Sequence, residues 1–315
     1  KKRNIIDKLP DEKRDKILSL SEPELLIEYM NRHQDWGVIV CLVGGGQDIN
    51  EGEAGIQEWF DSLRRSYPNW KIYVSNRITE EEYVGKGSFD NLVKELDCSM
   101  IPELHLSISL RSFRSEKVAN FVHHLLNNEG KQAAKLYQEI KKVYPICITR
   151  NLNVAKKWIK EQTTNKKYRY GIIASSKAKR LRADGIWVEC KCKPEKWFLE
   201  GKDNIKSSYF MEEVATEFDI QGLEIDYALI GWDADYRYDN DCFKFYRPRG
   251  SKWETIKAEA DKRYLKNAYR VLLTRARQGM IIFVPTGDKE DITRLPELYD
   301  NTYNYLKSLG LTEII

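Results

Sequence analysis

The chain has 315 residues, 42% of them hydrophobic and 32% charged, with a formal net charge of +4 and Trp, Tyr and Phe together numbering 36. That composition excludes global disorder and, at roughly 150 residues per domain, suggests about two domains. No apolar run approaches the ~20 residues of a bilayer-spanning helix, no signal peptide opens the chain, and six scattered cysteines fall far short of a disulfide scaffold. We therefore expect a cytoplasmic protein with no membrane partner.

Residues 1–20 are highly charged. Ser21, Glu22 and Pro23 start a helix with Leu25, Leu26 and Met30 on one face. Gly37 to Val43 is a continuous apolar run that reads as a strand buried on both faces, ending in Gly44, Gly45 and Gly46. A helix is expected over 53–66, carrying Ile56, Trp59, Phe60 and Leu63, and a strand over 70–75. The stretch 76–102 is looser, and a domain boundary is placed near its end. An alternating, strand-like segment follows over 104–110. Helices are expected at 115–128 and 131–143, a strand at 146–149, a helix at 151–163, and strands at 170–174 and 226–231. A helix from 253 to 274 leads to a strand at 280–284. Strand alternates with helix, which argues for an α/β fold with parallel sheets and for ligands at the carboxyl ends of strands.

Charge is unevenly spread. Between Arg150 and Lys206 there are 16 Lys/Arg against 6 Asp/Glu; between Ser208 and Asp235 there are 8 acids and no base. The basic stretch is either a surface for phosphate backbones or a solvated face.

Three segments place polar groups beside apolar ones. Gln47 follows the apolar run and its glycines, where its amide can meet a phosphate or an ordered water. Thr216 to Asp226 contains Gln221, Gly222 and Glu224, and a carboxylate such as Glu224 can hold a ribose hydroxyl. Asn267 to Arg277 ends an apolar helix in Thr274-Arg275-Ala-Arg277, and Arg presents a fixed fork of donors to phosphate oxygens. Read without a partner, each has a plain structural account: a tight loop, a capped acidic loop, and arginines at a helix end.

Together these segments resemble motifs III, V and VI of superfamily 1 helicases, and most of all the Schlafen group 3-like DNA/RNA helicase domain family. The carrying residues are Leu42 to Gly55 with Trp59, Glu217 to Asp226, and Asn267 to Arg277. Leu106 to Ser112 is similar to the helicase pattern Leu-x-x-Asn-Tyr-Arg-Ser, and Gly171 to Leu181 resembles the start of the second motor domain's nucleic-acid face. The resemblance runs in family order from about 22 to 285. It implies two RecA-like domains, 1–102 and 103–315, the first incomplete at its N-terminus, and an ATP-dependent translocase or helicase. Gln47 would sense the γ-phosphate or the attacking water. Arg111 and Arg275 would be arginine fingers. Glu224, with Gln221 and Gly222, would hold the nucleotide. Thr216, Ser175, Ser176, Lys177 and Arg180 would face DNA or RNA. ATP with Mg²⁺ would be the cofactor.

No Gly-x-x-x-x-Gly-Lys-Ser/Thr occurs in the 315 residues, nor a strand ending in paired acids before Gln47. We expect a chain that begins just after motif II, whose partner is the missing N-terminal half, and which does not hydrolyse ATP alone. Phe218 stands where relatives often have His, and Asp219 adds negative charge, which moves the expected nucleic-acid grip toward 150–206. Two other readings remain: a non-catalytic nucleic-acid-binding module, in which Trp158, Tyr168, Tyr170, Trp187 and Trp197, interleaved in the basic stretch, stack on bases, and a Mg²⁺ nuclease using Asp184, Glu189 and Lys191. Cys190 and Cys192 lack a second ligand pair for zinc and read as buried small residues on one strand face.

Overall fold

The computed structural model describes residues 19–42, 55–79, 89–105, 113–164 and 167–315. They form two compact units, one before and one after the segment 106–112.

In the first unit, helix α1 (Glu22–Met30) is capped by Ser21, whose hydroxyl accepts from the Glu24 amide. The buried face is Pro23, Glu24 and Ile27, while Leu26 is exposed. The expected apolar face is displaced because Glu24 is drawn inward by Arg65 at 2.8 Å and by the Ser66 hydroxyl, both on α2 (Gly55–Ser66). Strands β1 (Ile72–Val74) and β2 (Cys98–Met100) pair in parallel, with α3 (Phe89–Val93) between them. Phe60, Val74, Ile78 and Leu92 form the core. The expected buried strand from Gly37 is not found: 36–42 is irregular, and Val38, Val40 and Leu42 are largely exposed. Among the described residues β1 and β2 pair only with each other, so the run has no ladder to join. The strand-like segment 104–110 begins in a short 3₁₀ turn, and 106–110 lies outside the described residues.

The second unit opens with α4 (Phe113–Leu126) and α5 (Gly130–Ile140), followed by β3 (Ile146–Thr149), α6 (Leu152–Thr163) and β4 (Tyr170–Ala174). A 3₁₀ turn (Lys179–Asp184), α7 (Pro194–Leu199) and β5 (Val214–Ala215) lead to β6 (Ile225–Gly231). After β7 (Tyr236–Asp239), β8 (Cys242–Arg249) and β9 (Lys252–Thr255) come α8 (Glu259–Leu273), β10 (Ala276–Phe283), α9 (Glu297–Ser308) and β11 (Thr312–Glu313). Six strands form one parallel sheet in the order β11-β3-β10-β6-β4-β5.

The strands sort their residues by the twofold period of the pleat. Ile146, Ile148, Ile173, Ala228, Ile230, Met280 and Ile282 enter one core, with residues of α4, α5, α8 and α9. Cys147, Ile172, Ala174, Leu229, Ile281 and Phe283 enter the other, with α6 and the segment 181–188. Both faces are covered, so the central strands read as unbroken apolar runs. This is a RecA-like α/β arrangement.

Strands β7, β8 and β9 form a separate antiparallel sheet. It is held by aromatic stacking: Tyr236 on Phe243 with ring centroids 4.5 Å apart, and Tyr238 on Tyr305 at 3.9 Å. The expected helix from 253 therefore begins only at Glu259, because Trp253 to Thr255 pair with β8. No described helix is long and apolar enough to cross a membrane.

Candidate functional site

The expected site residues of the second unit fall on opposite edges of its sheet. At the amino edge, α8 ends in Thr274 and Arg275 precedes β10. Arg275 is 3% exposed. Its Nε donates to the Val271 carbonyl at 3.2 Å and an Nη to the Leu223 carbonyl at 3.2 Å. The Ile225 amide returns a bond to the Arg275 carbonyl at 3.2 Å. This clamps the loop 221–224 against the end of α8. Within the loop Gly222 has φ +82° and nothing within 4 Å of where a Cβ would stand. The turn thus exposes Gln221 and Gly222 and leaves Glu224 half-buried at the start of β6. Arg277 reaches Asp226 at 2.9 Å. Arg275 and the residues Gln221 and Glu224 of the open turn are thereby held at the same end of the sheet.

At the carboxyl edge, Ser175, Ser176 and Lys177 follow β4, and Thr216 and Glu217 follow β5. Three carboxylates hold this edge. Glu217 accepts from the Ser176 amide at 2.8 Å and its hydroxyl at 2.7 Å. Asp235 accepts from the Ser175 hydroxyl at 3.0 Å and the Tyr269 hydroxyl at 2.5 Å. Asp233 accepts from the Tyr299 hydroxyl at 3.1 Å and the Arg180 amide at 3.0 Å. Burial pushes all three carboxyls above their ordinary range, further raised at Asp235 by neighbouring Asp233. Ser175 is fully buried, so it positions the turn rather than meeting a ligand. The Thr216 amide and hydroxyl both go to Asp219, at 2.8 and 2.7 Å. Lys177 is exposed and Arg180 partly so.

Gln47 and Arg111 lie outside the described residues. Gln221, Gly222, Glu224 and Arg275 are brought together, as are Ser175, Ser176, Lys177, Arg180 and Thr216. The second set lies at the carboxyl ends of the strands and the first at their amino ends. Asp233 and Asp235 are not among the residues the sequence singles out, and Glu217 enters there only as the first residue of a segment that carries the resemblance. The signal was present: an Asp-Ala-Asp directly after a long apolar strand has no room to be solvated.

The nuclease residues part company. Asp184 turns to Arg294 at 2.6 Å and Glu189 to Lys179 at 2.7 Å. Cys190 is exposed and Cys192 half-buried, on no strand, which corrects their reading as a buried pair. Among the described residues no cluster of three or more His, Cys, Asp or Glu could hold a metal ion.

A parallel sheet covered on both faces, with charged loop residues at both ends of its strands, is a RecA-like α/β domain. Residues 7–286 match the family described as Schlafen group 3, DNA/RNA helicase domain, and the chain belongs to that family. No curated protein matches the chain.

Proposed function

We propose that the chain supplies nucleotide-facing and nucleic-acid-facing residues to an ATP-dependent translocase or helicase. The observation that carries this reading is the convergence of Arg275 with the loop 221–224 at one sheet edge. Glu224 and Gln221 orient the nucleotide beside the open turn at Gly222. Gln47, Arg111 and Arg275 act at the γ-phosphate, where ATP with Mg²⁺ supplies the transferable phosphoryl group. Phosphoryl transfer asks for positioning and for cancellation of spreading negative charge. Arg275 donates to two carbonyls as it stands. A γ-phosphate recruits the same donors, so arrival of the nucleotide loosens the clamp on 221–224. DNA or RNA is the partner of the opposite edge. The 315 residues hold no Gly-x-x-x-x-Gly-Lys-Ser/Thr, so on this reading a phosphate cradle and Mg²⁺ ligands are supplied from outside them.

Arg275→Lys keeps the charge but loses the fork. In the hydrolysis-competent protein it should lower kcat by about 10²-fold or more, in line with arginine-finger losses, with a smaller change in KM. Unchanged turnover removes Arg275 from the reaction. Circular dichroism and nucleotide-free stability of the variant separate lost chemistry from a loosened helix end.

A further inference from the structure

The 3₁₀ turn after β4 and the loop after β10 enclose an open depression of about 370 Å³ on the carboxyl edge. It is lined by Lys179, Arg180, Arg182, Ala183, Asp291 and Arg294, four cations against one acid. Two of the cations are neutralised from outside the lining, Lys179 by Glu189 and Arg294 by Asp184. The Asp291 carboxylate accepts from the amide and hydroxyl of Thr293. Arg180 and Arg182 have no carboxylate within ion-pair distance among the described residues; Asp291 and Glu189 feel their charge only from farther off. Arg180 gives an Nη to the Gly250 carbonyl at the turn between β8 and β9. The Nε atoms of Arg180 and Arg294 are buried and unpartnered, so neither guanidinium is saturated. Arg182 lies over the Trp187 ring, 4.4 Å from its centroid, and Trp187 is 45% exposed.

An excess of guanidinium charge around a concave surface, beside an exposed indole already stacked on one of those guanidiniums, is the chemistry that grips a single strand: phosphate in the depression, base on the ring. We propose that this depression seats a phosphodiester of single-stranded nucleic acid, held by Arg180 and Arg182, with Trp187 as the stacking plate for an adjacent base. The inference rests on the reading that the carboxyl edge faces DNA or RNA, and it moves the contact from the Ser175 and Ser176 hydroxyls, both held by carboxylates, to the outer turn. A duplex cannot offer a base to Trp187 without unpairing it, so the seat prefers single strands.

The test is fluorescence anisotropy of fluorescein-labelled dT20 and rU20 with the 315-residue chain, from ~50 to ~300 mM salt. Arg182→Ala and Arg180→Ala should each weaken binding about fivefold or more and each reduce the log–log salt slope by about 0.7. Trp187→Ala should weaken binding about fivefold or more with the slope unchanged, and Trp187→Phe should recover most of it. Lys307→Ala, on α9, is the surface control. Wild-type binding that none of the Arg180, Arg182 and Trp187 variants alters overturns the seat and leaves the nucleic-acid reading standing. Loss in the arginine variants with Trp187→Ala silent, and with tripolyphosphate competing as well as oligonucleotide per phosphate, makes it a plain anion site and overturns the proposal. Failure of every oligonucleotide to bind at ~50 mM salt overturns both.

Discussion

Asp233 and Asp235 are 1% and 0% exposed, and neither faces a cation within ion-pair distance among the described residues. Their oxygens are met by neutral donors: Tyr299, Ala234 and the Arg180 amide at Asp233, Tyr269 and Ser175 at Asp235. Hydrogen bonds of this kind favour the ionised form, but full burial outweighs them, and both carboxyls are pushed up. A carboxyl whose folded pKa lies above its unfolded value binds more protons folded than unfolded. Its stabilising contribution is complete below the unfolded pKa and is lost as pH rises through the folded pKa. The protein should therefore be more resistant to urea at pH 6 than at pH 8, by about 1 kcal/mol or more from this cluster. Asp235→Asn, uncharged at both values, should flatten that difference and be no less stable at pH 8. An unflattened profile would mean the charge is compensated in some way the geometry does not reveal. These two residues also mark where sequence reading stopped. Thr216 to Asp226 reads in the sequence as a capped acidic loop, yet Glu217 and Asp226 are buried, as are Asp233 and Asp235 beyond it. Composition counts charges without their depth. Depth was set here by the apolar strand β6 carrying its own tail inward.

At the scale of elements, the strands buried on both faces were legible, because a covered parallel strand has no polar face to break its apolar run. β3, β4, β6 and the end of β10 fall within a residue or two of their expected places. Elements built on pairing alone were not. β5 and β11 have two residues each, too short for any pattern. The sheet β7–β9 is half-buried, and its last strand merged with the helical reading of 253–274. Glu259 begins the helix only after an extended Ala258. Gly171 shows how closely elements meet on β4. A Cβ there would stand 2.5 Å from the Trp197 Cζ2 and 2.8 Å from the Ser208 Cβ. The indole cannot retreat, since it is fully buried and its Nε1 donates to the Glu213 carbonyl at 3.1 Å. Gly171→Ala should cost about 1–3 kcal/mol of unfolding free energy. Trp197→Phe in that background, with a smaller ring, should recover part of the loss. If the two changes simply add, the clash is not the cause.

At the scale of the second unit, the two residue sets sit at opposite ends of strands. β6 has seven residues, which at ~3.3 Å each puts the edges about 20 Å apart. A phosphate at one edge does not touch a strand at the other, so any coupling passes through the protein. One segment joins both edges directly: 216–224 leaves the carboxyl end of β5 at Thr216 and reaches the amino end of β6 at Glu224. It is folded tightly, with the Asp219 carboxylate holding the Thr216 amide and hydroxyl, the Ile220 amide on the Thr216 carbonyl at 3.1 Å, and the Leu223 amide on the Ile220 carbonyl at 3.0 Å. Its far end is the part that Arg275 clamps. Motif order in the sequence made both sets visible but not their separation, because loops that enter and leave strands look alike until the strands are paired. On the function proposed above, a stiff connector with the nucleotide-facing loop at one end and nucleic-acid-facing residues at the other is a candidate two-state element. Asp219→Ala removes the carboxylate that stiffens it without touching Arg275, Glu224 or the cationic depression. In the hydrolysis-competent protein, basal turnover and oligonucleotide affinity without nucleotide should each stay within about twofold of the parent, while stimulation of turnover by oligonucleotide should fall severalfold, a coupling loss of about 1 kcal/mol. By linkage, the change in oligonucleotide affinity caused by a non-hydrolysable nucleotide should shrink by the same factor as the reciprocal change in nucleotide affinity. Equal losses in basal and stimulated turnover would assign Asp219 to the fold of the edge instead, and leave the route between the two edges to β6 itself.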